Sequence, residues 1–207
     1  MAFTTNHRTN PGRAAWIPSR GGGLAISAAL AHALDQGAKM DLAAVRIASD
    51  CARRPVVRHL AIAISRLGNG WIYPLLIGMV LFAAGWRGAP AIGVGALNAA
   101  VLHAFYPLLK KYFQRQRPFR VDPCLPSLLP TLDEHSFPSG HAMTIVGVLT
   151  PLVLAWPAML LSAIVMAAAM AWARVATAHH FPSDVVAGLA LGAGLAYPLS
   201  KFALALI

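Results

Sequence analysis

Acidic side chains are scarce, with 7 Asp and Glu against 17 Lys and Arg in 207 residues. Charged residues of both signs make up 12% of the chain and hydrophobic ones 57%, where soluble domains carry about 25% charged residues. This composition excludes an ordinary water-soluble domain and makes a lipid bilayer the natural solvent. The shortage of carboxylates leaves no cluster able to hold magnesium, Asp133-Glu134 being the only adjacent pair. Cysteine is nearly missing as well. Cys51 and Cys124 are too few and too far apart for a disulfide framework or a metal knuckle, and each is expected to pack as a small buried hydrophobe. The net charge of +10 admits nucleic acid, an anionic membrane surface or an anionic substrate as a partner. Long apolar segments set nucleic acid aside.

Beyond Gly68-Asn69-Gly70, five segments read as membrane spans: Trp71 to Trp86, Ala91 to Leu109, Ala142 to Trp156, Ala158 to Arg174, and Val185 to Ala205. Trp71, Trp86, Trp156 and Trp172 fall at or near their ends, where indole rings favour the headgroup region. Pro74, Pro107, Pro151 and Pro198 predict kinks that neighbouring helices tolerate. Small residues such as Ala167-Ala168-Ala169 and Gly188, Gly192 and Gly194 favour close helix approach. From Ala25 to Arg66, apolar residues recur at helical spacing among Asp35, Lys39, Asp41, Arg46, Asp50 and several Arg, the pattern of amphipathic helices lying in an interface.

The expected fold is therefore an all-α integral membrane protein, a compact helical bundle of about five transmembrane helices. The count rises to six if the N-terminal apolar segment spans. Residues 1–66 are read as a tail plus amphipathic interfacial helices, and residues 67–207 as the transmembrane core. Arg8, Arg13 and Arg20 precede an apolar stretch from Leu24 to Ala31 that ends in Ala31-His32-Ala33, a pattern shared with signal peptides. The stretch is expected to stay with the chain, and it falls short of the roughly 20 apolar residues a comfortable span needs.

Three polar clusters stand out: Lys110 with Arg117-Pro118 after the second span, Pro138-Ser139-Gly140-His141 before the third, and Arg174, His180 and Asp184 between the fourth and fifth. From His141 to Arg174 the chain crosses twice and returns to the side it left. The three clusters thus share one face, joined by the long polar connection Lys110 to His141.

Lys110-x6-Arg117-Pro118, then Pro138-Ser139-Gly140-His141, then Arg174-x5-His180-x3-Asp184 resembles the three-part signature of the type 2 phosphatidic acid phosphatase superfamily. The resemblance runs from about Leu67 to the C-terminus, with one departure, Ala173 where that superfamily usually has Ser. It implies metal-independent dephosphorylation of a membrane lipid phosphate or diphosphate, with no cofactor. A polyprenyl diphosphate or phosphosugar lipid is the first choice of substrate; phosphatidic acid, phosphatidylglycerophosphate or lipid A is the alternative. The resemblance makes His180 the nucleophile that forms a phosphohistidine, Asp184 the group that orients it, and His141 the acid and then the base. Lys110, Arg117 and Arg174 would clamp the phosphate, whose charge is about −1.5 to −2, and Ser139, Gly140 and the amides at the following helix start would add donors.

Blander readings apply to neighbouring residues. Lys111, Arg115 and Arg120 read as snorkelling side chains at a helix end, His179 as an interfacial neighbour, and Asn98 and His103 as helix-to-helix hydrogen-bonding groups. A non-enzymatic transporter or scaffold that retains a degenerate phosphatase site is the competing class, against which the intact His141, His180 and Asp184 speak. An inner-membrane location is expected. The superfamily's bacterial members often place the site in the periplasm, whereas the bias of Lys and Arg toward the site side, with Arg87 and Lys201 opposite, points to the cytoplasm. Oligomeric state is not encoded legibly.

Overall fold

Proline and glycine punctuate the chain into helices. The computed structural model describes residues 28–206, and among these every regular element is helical. Helix α1 (Ala28–Cys51) is followed by α2 (Pro55–Arg66), which Pro55 opens at a position where a missing N–H costs nothing. A π-helical turn (Leu67–Trp71) then leads into α3 (Ile72–Ala84); Gly70 bends it at φ 132°, which a side chain would resist. After a 3₁₀ turn (Gly85–Gly88), α4 (Ala89–Phe113) runs 25 residues and stops at Gln114 in the left-handed region. The short α5 (Pro118–Val121) starts a long connection to α6 (Gly140–Ala155), which Ser139 caps. Helices α7 (Leu160–Ala176) and α8 (Pro182–Ala205) complete the fold.

Helices α3, α4, α6, α7 and α8 stand where the five spans are expected. Three stretches are long and apolar enough to cross a membrane: one within the succession of helices from Pro55 to Val121, and the segments Pro157–Ala176 and Pro182–Ala205, with Gly140–Ala155 apolar but shorter. Helix α6 is the centre, burying Met143, Ile145, Leu149 and Leu152 among α4, α7 and α8. The outer faces expose Leu75, Phe82, Leu161, Val165 and Phe202, as a lipid-facing belt requires. Trp71 and Trp86 are exposed at the two ends of α3.

In lipid, helices hold together by close packing and polar ties rather than by exclusion of water. A Cβ at Gly188 would lie 2.6 Å from the Ser139 carbonyl oxygen, and one at Gly192 2.6 Å from that of Met143, so these two glycines let α8 press against α6. Gly194 faces open space and takes no part in this contact. Asn98 Nδ2 donates to Gly147 O and Ser200 Oγ, both at 2.8 Å, and ties α4 to α6 and α8 as expected.

The amphipathic pair packs on the end of the bundle where α7 finishes and α8 begins. Val45 of α1 is fully buried against Leu125, Ala178 and Phe181, while Met40, Ile47, Val56 and Leu60 point outward. Arg46 Nε donates to Asp122 Oδ2 at 2.7 Å, fixing α1 to the long connection. One expectation fails here. Cys51 and Cys124 are exposed rather than packed in a core, since one ends α1 and the other sits on a polar loop. The tail with Arg8, Arg13 and Arg20, and the start of the apolar stretch at Leu24, lie outside the described residues.

Candidate active site

Four helix ends converge on a cavity of about 120 Å³, walled in part by Lys110, Arg117, Gly140, His141, Arg174 and His180. Because α4 stops at Gln114, the chain leaves it extended and brings Arg117 back beside Lys110. Both cations are buried, 5% exposed at Lys110 and 2% at Arg117. Each bonds Asp133 of the long connection: Lys110 Nζ lies 2.7 Å from Oδ2, and Arg117 Nη2 lies 2.7 Å from Oδ1. Arg117 Nη1 also donates to His179 O at 2.8 Å, which holds the guanidinium against the α7–α8 turn.

That turn places the two histidines. Ala178 is left-handed (φ 56°), and the amides of His179 and His180 both donate to Arg174 O, at 3.2 and 3.1 Å. The imidazole of His180 is 1% exposed. Its Nε2 lies 3.5 Å from Arg117 Nη1 and so faces the cations as an acceptor. Its Nδ1 lies 3.7 Å from Asp184 Oδ2, beyond hydrogen-bond reach. Burial, reinforced by Arg174 and Arg117, pushes the His180 pKa well below the ordinary histidine value, so the ring is neutral at physiological pH. Asp184 accepts from Phe181 N at 2.8 Å, capping α8, and from Arg115 Nη1 at 2.6 Å.

The buried guanidinium of Arg174, 4% exposed, has no hydrogen-bond or ion-pair partner among the described residues, and its Nε is sealed from solvent. A buried cation without a protein counter-charge is costly unless an anion comes to it. Lys110, Arg117 and Arg174 together carry three positive charges toward one cavity, and Asp133 returns only one negative charge.

Of the residues singled out from sequence, Ser139 and Asp184 do not face the cavity. Ser139 is fully buried, its Oγ accepting from Ala142 N at 3.5 Å and its N–H donating to Asp184 O at 3.0 Å, so it caps α6 and locks that helix start to α8. Gly140 lies on the wall beside the Tyr106 ring. His141 reaches the wall with Nε2 2.7 Å from Asn69 Oδ1.

Several neighbours have roles that sequence reasoning passed over. Arg115 is buried, not snorkelling: it bonds Asp184, Ser183 Oγ (2.7 Å) and Asp41 (2.8 Å), with its guanidinium 4.1 Å from the centre of the Phe181 ring. His179 is 1% exposed rather than interfacial, and its Nε2 bonds Leu129 O at 2.9 Å, which pins the long connection. Burial drives its pKa down to about 3. His103 lies on the cavity wall, outside the role assigned to it from sequence. The Gly68-Asn69-Gly70 break is itself part of the site, and the glycines that flag a chain break were its only signal.

Residues 90–206 match the model of the PAP2 superfamily. The chain is similar to decaprenylphosphoryl-5-phosphoribose phosphatase of Mycobacterium tuberculosis, at 32% identity over 152 residues that cover 72% of this chain and 82% of the relative. It is similar to undecaprenyl-diphosphatase of Sulfolobus acidocaldarius, at 28% identity over 67% of this chain and 66% of the relative. A solved transmembrane PAP2-type phosphatidylglycerolphosphate phosphatase from Bacillus subtilis shares the fold with a TM-score of 0.61 and 25% identity, over 81% of this chain and 86% of that one. The chain belongs to the PAP2 superfamily and is an integral membrane lipid phosphatase.

Proposed function

We propose that the chain hydrolyses a polyprenyl-linked phosphate lipid through a covalent phosphohistidine on His180. The observation that carries this reading is the buried Arg174, without a partner among the described residues, beside Lys110 and Arg117, a surplus of positive charge of the size a phosphate dianion neutralises. The phosphate seats between these cations and the first-turn amides of α6. His180 Nε2 donates its lone pair to phosphorus, the phosphorus–oxygen bond to the lipid breaks, and the leaving oxygen takes the proton that His141 Nε2 directs at Asn69. Water then attacks phosphorus, its proton passes to His141, and the phosphorus–nitrogen bond breaks to free inorganic phosphate. Asp184 faces Nδ1 throughout and keeps the proton on that nitrogen.

The preference for a polyprenyl lipid rests on similarity to the mycobacterial and archaeal phosphatases. An apolar cavity of about 260 Å³ between α3, α4 and α6, lined by Leu76, Val80, Ile92 and Val148, meets the site at Tyr73 and offers room for the first units of a chain. Phosphatidylglycerophosphate is the second reading, on the fold shared with the Bacillus enzyme. The excess of basic residues on the site side favours the cytoplasmic face.

Phosphate release by purified protein in detergent with EDTA separates these readings across polyprenyl diphosphate, polyprenyl-phosphosugar phosphate, phosphatidic acid and phosphatidylglycerophosphate. Release confined to a polyprenyl substrate supports the assignment. Preference for a glycerolipid transfers it to the second reading.

A further inference from the structure

The Asp133 carboxylate sits where two oxygens of a phosphate would be held. Its oxygens are divided between Lys110 Nζ and Arg117 Nη2, each at 2.7 Å, and its main-chain carbonyl takes a further bond from Arg117 Nε at 3.1 Å. Lys and Arg hold phosphate oxygens with the same donors that hold a carboxylate. The partners differ in how they are fixed. Both cations are buried, Lys110 on α4 and Arg117 behind the α7–α8 turn, whereas the Asp133 side chain is 36% exposed on the long connection beside Leu132, which is 76% exposed. The carboxylate therefore lies on the cavity's rim and moves away more easily than the cations it bonds. Burial by itself would raise its pKa, but the bonds and charges of Lys110 and Arg117 more than offset this and hold it below the usual carboxylate value, so it is ionised at neutral pH.

We propose that Asp133 is a resident counter-ion of the phosphate clamp: substrate phosphate displaces it from Lys110 and Arg117, and its return drives inorganic phosphate out after hydrolysis. The proposal rests on the phosphatase reading of this cavity. Two anions cannot hold the same donors at once without close like-charge repulsion, so binding is an exchange. The exchange also makes release easier, because the departing dianion leaves Lys110 and Arg117 re-paired rather than bare. Affinity for phosphate is then the clamp's intrinsic attraction reduced by competition from Asp133.

The test is the inhibition constant of inorganic phosphate against lipid hydrolysis by the full chain in detergent, for the wild type, Asp133→Asn and Arg117→Gln. Asp133→Asn keeps the shape and removes the charge; it is expected to tighten phosphate binding about three- to tenfold, the scale of one partly exposed ion pair, and to lower kcat as release slows. Should that variant fail to fold, Asp133→Ser carries the same expectation. Unchanged or weaker phosphate inhibition in the Asp133 variant, with clear weakening in Arg117→Gln, overturns the counter-ion role and leaves the site assignment standing. Unchanged inhibition in Arg117→Gln removes the phosphate site from this cavity, and the proposal falls with it.

Discussion

Arg115 Nη1 lies 2.6 Å from Asp184 Oδ1, and both side chains are buried, 9% and 0% exposed. The carboxylate that faces the proposed nucleophile is thus held by a cation outside the proposed phosphate clamp, and Asp41 of α1 holds that cation's other terminal nitrogen at 2.8 Å. Asp41 also accepts from Ser183 N at 3.0 Å and from Ser183 Oγ. A chain of charge runs from the amphipathic helix α1 to the His180–Asp184 pair.

Removing Arg115 leaves Asp184 as an uncompensated buried charge. Arg115→Gln is expected to destabilise the protein by roughly 3–5 kcal/mol and to lower kcat more than it raises KM, since Arg115 does not line the cavity. Arg115→Lys should recover part of both. Asp41→Asn should fall between wild type and Arg115→Gln. Steady-state kinetics and thermal unfolding in detergent measure all three.

Close packing of α8 on α6 aligns Asp184 with the start of α6, and a methyl group at Gly188 would meet the Ser139 carbonyl and the Ala142 methyl, neither of which can swing aside. Gly188→Ala and Gly192→Ala are expected to cost about 1–3 kcal/mol each, with the larger loss of activity at Gly188, which abuts the Ser139 carbonyl. Gly194→Ala, which meets open space, should leave unfolding temperature and activity near wild type.

His179 is neutral when folded, with its pKa pushed down to about 3, and gains a proton near pH 6.5 when unfolded. Its contribution to stability is complete above pH 6.5 and shrinks as pH falls from there toward 3, because the unfolded chain binds the extra proton. The expected loss is roughly 1.4 kcal/mol per pH unit below 6.5 for each such histidine. His180 adds to the same slope. Unfolding temperature measured from pH 8 to pH 5 should fall on the acid side, less steeply in His179→Asn.

The positions of Lys110, Arg117, His141, Arg174 and His180 were legible because each sits at the end of an apolar segment, and segment counting alone folds those ends together. Arg115 was hidden inside a basic run. Only the left-handed turn at Gln114 aims it inward, and its partner Asp41 is 74 residues away on a helix whose acidic residues look uniformly solvated in sequence. Asn69 was equally obscure, its contact with His141 bridging 72 residues from what reads as a simple glycine break. Ser139 was readable as a polar residue before a helix, but sequence does not say whether such a hydroxyl caps the helix or faces a ligand. Burial decides for the cap. The cysteines misled because their usual preference for the interior has no force at a helix end and on a polar loop.

Exposed Cys124 lies on the long connection that lines the site, which makes it a native reporter of sidedness. If the site faces the cytoplasm, a membrane-impermeant maleimide applied to intact cells leaves Cys124 unlabelled until the membrane is opened. An Arg87→Cys variant lacking both native cysteines should label at once. Labelling of Cys124 in intact cells moves the site to the outer face.

Trapping the phosphoenzyme is the most direct test of the chemistry. Protein mixed briefly with polyprenyl substrate labelled in its terminal phosphate, then denatured in alkali, should retain label that acid removes, the signature of a phosphorus–nitrogen bond; His180→Ala should retain none and release no phosphate. Label that survives acid, or phosphate release that persists in His180→Ala, would contradict a phosphohistidine at this position.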